Sequence, residues 1–173
     1  MTLSLCGLKT LLIDADLRRA TLTNLLLNGE KPRGLLEALS GSARVAEICR
    51  PTAHENLFLL SAGAREPKAR DLLANSDVDA VLKEALSQFQ RVVIDSPPIN
   101  AVTDALLIAR HVSVSCIVIA AGKTPKRAVL RACALLRHAH RGVIGAILNG
   151  VGNSAREAHE CYHYVKDYGE TEA

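Results

Sequence analysis

The run Leu11-Leu12-Ile13-Asp14-Ala15-Asp16-Leu17-Arg18 constrains this chain more than any other stretch. Three aliphatic residues with strand character lead straight into two carboxylates spaced by one residue, and then an arginine. In a parallel α/β sheet the carboxyl ends of the strands face the ligand crevice. A second run, Val92-Val93-Ile94-Asp95-Ser96-Pro97-Pro98, repeats the design with a single terminal aspartate. Its two prolines forbid continuation of the strand, because neither offers a backbone donor.

The remaining pattern alternates strands and helices. Residues 3–8 read as the last turns of a helix ended by Gly7, followed by a strand over about 9–14. Thr21 is placed to cap a short helix through Leu27, and residues 34–39 form another. Leu57–Leu60 reads as a short buried strand. Helical spacing over 69–88 breaks near Asn75-Ser76, and a strand covers 91–95. Thr103 or Asp104 opens a helix to about Ala109. Val114–Ala121 is a continuous apolar strand, Pro125 starts a helix to about His138, and Val143–Leu148 is the last strand. Short connections between alternating elements predict an α/β fold with a doubly wound, mostly parallel sheet.

Composition narrows the function classes. The 173 residues suit one domain with a sizeable core. Aromatics make up only 3%, so that core must be built from Leu, Ile, Val and Ala. A net charge of +3, from 21 basic and 18 acidic residues spread along the chain, gives no reason to expect nucleic acid as a partner. Cys6, Cys49, Cys116, Cys133 and Cys161 show neither a C-x-x-C spacing nor metal-site pairing with His. Cys116 and Cys133 lie in apolar stretches and read as small core residues. An odd count without a framework points to a reducing compartment, and hence a cytoplasmic location. No run approaches the roughly 20 apolar residues of a spanning helix, and no signal peptide is read at the N-terminus.

The acidic strand ends carry the chemistry. Asp14 and Asp16 could be plain turn residues, but a second strand ends in Asp95 and Arg18 follows at once. The spacing is expected to place Asp14 and Asp16 on one side of the backbone, where a divalent cation would relieve their repulsion. Arg18 and Arg19 could neutralise phosphate or pair with these carboxylates. Gly122-Lys123-Thr124 follows a strand and precedes a helix, yet G-x-x-x-x-G-K-[ST] would need Gly where Ile117 stands. Thr124 is therefore expected to cap the helix that starts at Pro125. The six histidines form no metal constellation.

Together, the two acid-tipped strands resemble the modified Walker A′ and Walker B motifs of the bacterial protein tyrosine kinases. These kinases belong to the deviant-Walker P-loop ATPases. The resemblance covers nearly the whole chain. It implies a P-loop-type sheet lacking the family's first strand and phosphate loop, over residues 1–152, and a tyrosine-bearing tail over 153–173. It implies ATP and Mg²⁺ as cofactors. Asp14 matches the carboxylate that helps hold Mg²⁺ and takes the tyrosine proton, Asp16 its companion, and Asp95 the Walker B carboxylate. Asp14, Asp16 and Arg18 are thus the catalytic candidates, with Asp14 and Asp95 as metal ligands.

Asn149 resembles the asparagine that reads the adenine edge, although a turn before Gly150 explains it nearly as well. Ala20 stands where the family usually has Pro. All three tyrosines, Tyr162, Tyr164 and Tyr168, lie in the tail among charged residues. By resemblance they are phosphoacceptors for a neighbouring subunit; a small aromatic docking patch is the structural alternative.

The implied function is the cytoplasmic domain of a tyrosine autokinase in capsular or extracellular polysaccharide synthesis and export. It would act at the inner face of the membrane with a membrane-bound chain-length or activator partner, and neighbouring kinase subunits would assemble with it. Without a phosphate loop, these residues alone are expected to have negligible kinase activity. A non-catalytic phosphoacceptor or binding module for an intact kinase is the alternative. A partitioning-type ATPase is a more distant one.

Overall fold

The computed structural model describes residues 2–27, 32–64, 69–139 and 142–151. The elements run α1 (Thr2–Leu5), β1 (Thr10–Asp14), α2 (Thr21–Leu26), α3 (Leu35–Leu39), α4 (Val45–Ile48), β2 (Arg50–Pro51), β3 (Leu57–Leu60), α5 (Ala69–Asn75), α6 (Val78–Gln88), β4 (Arg91–Asp95), α7 (Asp104–Ala109), β5 (Val114–Ala120), α8 (Lys126–Ala139) and β6 (Val143–Asn149). The alternation expected from the sequence is present. So is the break between α5 and α6, where the Asp77 side chain accepts from the Ala80 N–H and caps α6.

The strands fall into two sheets. One has the order β2-β3-β1-β4, with β3 and β4 both parallel to the central β1. The two-residue β2 runs antiparallel at its edge. The other sheet holds only β5 and β6, parallel and in register from Val114↔Val143 to Ala120↔Asn149. Among the described residues, β4 pairs on one side only, and so does β5.

The core sits on the first sheet. Leu11, Ile13 and Leu60 are sealed from solvent in one cluster with residues of α3, α4, α5 and α6, Val45, Leu73, Leu82 and Ala85 among them, and Leu59 is buried as well. Phe58 and Phe89, two of the few aromatics, meet at a ring-centroid distance of 5.2 Å, and the Lys9 ammonium lies over both rings.

Three local details differ from the sequence reading. Thr21 is the first residue of α2 and not its cap; Ala20 precedes it in the left-handed region, with φ of 50°. Pro at that position would require φ near −65°, so Ala20 holds a backbone that the family's usual proline could not adopt here. The Thr124 hydroxyl accepts from the Ala120 N–H and closes the turn after β5, instead of capping α8. Cys116 is exposed and Cys133 half-buried, because β5 and α8 carry far less packing than their apolar sequences invite.

Candidate functional site

The carboxyl ends of β1 and β4 lie side by side. Asp14 and Asp95 are register partners on adjacent parallel strands, and the Ala15 N–H donates to the Asp95 carbonyl at 2.8 Å. The two acid-tipped runs thus converge on one edge of the sheet, where a ligand crevice is expected.

The carboxylates there have different surroundings. Asp14 has no solvent exposure. Its Oδ2 accepts from both the backbone N–H and the hydroxyl of Thr23, each at 2.7 Å, and its Oδ1 accepts from the Asp16 N–H at 3.2 Å. The Thr23 hydroxyl accepts in turn from the Ala62 N–H at 3.0 Å. One buried network therefore pins the end of β1, the start of α2 and the segment after β3. Hydrogen bonds to an ionised group of this kind contribute about 1.5–3 kcal/mol each.

Asp16 lies beyond the end of β1, half-buried in a turn. Its Oδ1 accepts from the Arg18 and Arg19 N–H groups at 3.3 and 3.1 Å. Asp14 and Asp16 accordingly do not present a matched pair on one strand face. The first turns inward and the second organises a basic turn.

Asp95 has its pKa raised above the ordinary 3.8, first by burial of its carboxyl and then by the nearby charges of Asp14 and Asp16; the Ser96 N–H pulls the other way. Like charges crowded at a strand end are the condition that a divalent cation relieves. Mg²⁺ typically takes one or two carboxylates and keeps several waters, and the chemistry of Asp95 with Asp16 at its side fits that demand. The inward hydrogen bonds of Asp14 suit it to holding the strand end.

The Arg18 Nε donates to Oδ2 of Asp104 at 3.2 Å, reaching from a half-exposed side chain to a buried carboxylate at the start of α7. The second oxygen of Asp104 is buried without a hydrogen-bond partner. Sequence reading placed Asp104 only as a helix start and gave Thr23 no role. Thr23 lies in the first turn of α2 and Asp104 opens α7, and nothing in the local sequence marks either as the partner of Asp14 or Arg18.

Asn149 closes β6 with an exposed side chain, on the same edge of the second sheet, and its carbonyl accepts from the Ala121 N–H at 2.8 Å. Gly122-Lys123-Thr124 forms a tight turn in which the Lys123 and Thr124 N–H groups both donate to the Ala120 carbonyl. Gly122 has φ of 66°, as such a turn requires. Those amides close the turn and do not fan out around a phosphate. Among the described residues, no cluster of three or more His, Cys, Asp or Glu groups could hold a metal ion. No helix of the described residues is long and apolar enough to cross a membrane. Tyr162, Tyr164 and Tyr168, with the whole 153–173 segment, lie outside the described residues.

A parallel sheet with two aspartates at adjacent strand ends and an arginine at their side defines an α/β protein with an acidic crevice at the carboxyl ends of its strands. Comparison with known proteins gives the family. CapB of Staphylococcus aureus is 35% identical over 167 residues, covering 96% of this chain and 72% of CapB. The tyrosine-protein kinase CpsD of Streptococcus pneumoniae is 31% identical over 163 residues, covering 94% of this chain and 71% of CpsD. The kinase domain of the Escherichia coli tyrosine kinase ETK superposes with a TM-score of 0.81 at 30% identity, covering 88% of this chain and 60% of that domain. No family model matches the chain. The chain belongs to the bacterial tyrosine-protein kinase family.

Proposed function

We propose that this chain is the core of a bacterial tyrosine autokinase serving capsular or extracellular polysaccharide synthesis and export, with Tyr162, Tyr164 and Tyr168 as phosphoacceptors. The observation that carries the proposal is the pairing of Asp14 with Asp95 at adjacent strand ends in a chain of this family. When bound, Mg-ATP supplies the transferable γ-phosphoryl group and neutralises charge on the phosphates.

The chain's own residues set the stage for it. Asp95, with Asp16 beside it, offers the carboxylates for a hydrated Mg²⁺. Asp14 fixes the strand end and has the family role of accepting the tyrosine proton. Arg18 is held by Asp104 through its Nε, and a guanidinium beside the acidic strand ends is suited to phosphate oxygens. Asn149 is the candidate for the adenine edge. A membrane-bound activator protein and neighbouring kinase subunits are the partners in this reading, which places the domain at the inner face of the membrane.

The described residues hold no backbone cradle for the β- and γ-phosphates, so these 173 residues alone are expected to be inactive. The test is phosphotyrosine detection after incubation with Mg-ATP, with and without added CpsD as an intact relative. Labelling of the tail tyrosines only when the kinase is added is the expected result. Absence of labelling in both arms would overturn the proposal. Mg²⁺-dependent labelling of the chain by itself would overturn its predicted inactivity.

A further inference from the structure

We propose that the outward face of α8, with the turn ahead of it, docks on a surface of anionic lipid headgroups. Lys123, Lys126, Arg127, Arg131 and Arg137 are the contacting cations, and Leu130 is set among them. The inference rests on the kinase reading only for the place of the domain at the inner face of the membrane; the surface itself is argued from charge and helix geometry.

The two signs of charge balance over the whole chain but are segregated along it. Between Asp104 and Glu157 stand eight of the 21 basic residues and none of the 18 acidic ones. Much of that stretch is the apolar β5–β6 pair, so its charge gathers on α8 and on the turn that leads into it. A long segment of one sign, in a chain of small net charge, marks a surface for a partner of the opposite sign.

Helix geometry brings the cations together. At about 100° per residue, Lys126, Arg127, Leu130, Arg131, Ala134 and Arg137 fall within an arc of about 140°, and all six are exposed. Ala132 and Leu136 lie on the opposite side and are buried. The face extends along 14 residues, or about 21 Å. Lys123 adds a fifth cation in the exposed turn just ahead. Among the described residues, none of the five pairs with a carboxylate.

α6 shows what an ordinary solvated helix of this protein looks like. Its outer side mixes signs: Asp79 and Lys83 are exposed, and Glu84 lies 3.5 Å from the Arg44 guanidinium. α8 has no acidic residue. Lys126 and Arg127 occupy its first turn, where the helix macrodipole disfavours cations. Helix stability therefore does not account for their placement.

Leu130 chooses among anionic partners. It is 58% exposed, with Lys126 one turn before it and Arg131 beside it. The phosphate backbone of a nucleic acid offers such a side chain nothing, and α8 has neither an aromatic ring to stack on a base nor an amide to read one. A bilayer surface offers both halves of what the face presents: headgroup phosphates for the cations, and an apolar boundary just beneath them for the leucine. Each Lys or Arg near an anionic leaflet strengthens binding about five-fold. Five on one face suffice to hold a small domain measurably.

The test is flotation of the 173-residue chain with vesicles of phosphatidylcholine alone, or of phosphatidylcholine and phosphatidylglycerol in equal parts. Binding to the mixed vesicles only is expected, with loss as salt rises from about 0.1 to 1 M and the screening length falls from about 10 to 3 Å. Arg127→Gln with Arg131→Gln is expected to weaken binding about thirty-fold, while the corresponding Lys pair keeps most of it. Leu130→Ala is expected to cost about five-fold, and Lys83→Gln on α6 to change nothing. A measurement on the unaltered chain accompanies these variants: mixed vesicles should shield Lys123 and Lys126, but not Lys83, from an amine-reactive reagent.

Equal binding to both kinds of vesicle, binding to neither, or equal losses from Lys83→Gln and the α8 pair would overturn the proposal. So would unchanged labelling of Lys123 and Lys126, or tighter binding to a DNA duplex than to the mixed vesicles. No nucleotide enters these experiments. Vesicle binding without phosphotransfer to the tail would count against the kinase reading alone, and phosphotransfer without vesicle binding against this inference alone.

Discussion

β3 and β5 carry nearly the same kind of sequence and meet opposite fates. Leu57-Phe58-Leu59-Leu60 is paired to β1 and covered by helices, and Leu60 is fully buried. Val114-Ser115-Cys116-Ile117-Val118-Ile119-Ala120 is paired only to β6, and Val118 is 64% exposed. Val143, Ile147 and Leu148 of β6 are exposed as well. The difference is one of neighbours. An apolar strand becomes core only when an element lies on each face and a strand on each side. The β1–β3 region has both, and the β5–β6 region has one strand partner with α8 resting lightly on it. A run of exposed branched residues beside an unpaired edge is a surface that proteins ordinarily cover.

The largest expected effect contrasts the two regions by truncation. Leu60→Ala empties a sealed site and is expected to cost about 2–5 kcal/mol. Val118→Ala removes little that is buried and is expected to change stability by less than about 0.5 kcal/mol. Urea denaturation of the two variants measures both. Equal losses would show that β5 is packed as tightly as β3 and would break the comparison.

A smaller effect sharpens it at the site between the regions. Asp95 has a folded-state pKa above the ordinary 3.8, caused first by burial and then by Asp14 and Asp16. A carboxyl whose pKa is raised on folding is a liability above that raised value, where it must ionise. The liability fades as the pH falls through the raised value and is gone only below 3.8, where folded and unfolded chains are both protonated. Asp95→Asn is therefore expected to stabilise the chain at pH 7, by no more than a few tenths of a kcal/mol, because the carboxyl is only partly desolvated on a residue that is exposed as a whole, and water screens its charge. The advantage should shrink as the pH is lowered and vanish only below 3.8 in thermal melts, and Mg²⁺ should raise the melting point of the parent more than that of the variant. A variant less stable than the parent at pH 7 would contradict the assignment of Asp95 as the crowded carboxylate.

Much of this was legible in the chain. Short apolar runs bounded by Asp, Asn, Gly or Pro mark β1, β3, β4, β5 and β6 because strand and turn chemistry are local. The convergence of Asp14 and Asp95 followed from placing both at carboxyl ends of parallel strands. The unlike surroundings of Asp14 and Asp16 did not. Two residues apart in sequence, they would share a face if β1 continued, but the strand ends at Asp14 and Thr23 captures its carboxylate from across the turn. The Arg18–Asp104 pair spans 86 positions, a separation no local pattern encodes. The exposure of β5 was equally hidden, since an apolar sequence states what a strand could bury and not which neighbours it has.

Amide hydrogen exchange of the 173-residue chain, read strand by strand, tests the division of the sheet most directly. Slow exchange is expected in β1 and β3, and exchange faster by orders of magnitude at the amides on the open edges of β4 and β5, which no strand among the described residues protects. Uniformly slow exchange across β1, β3, β4 and β5 would mean that the sheet is continuous in solution.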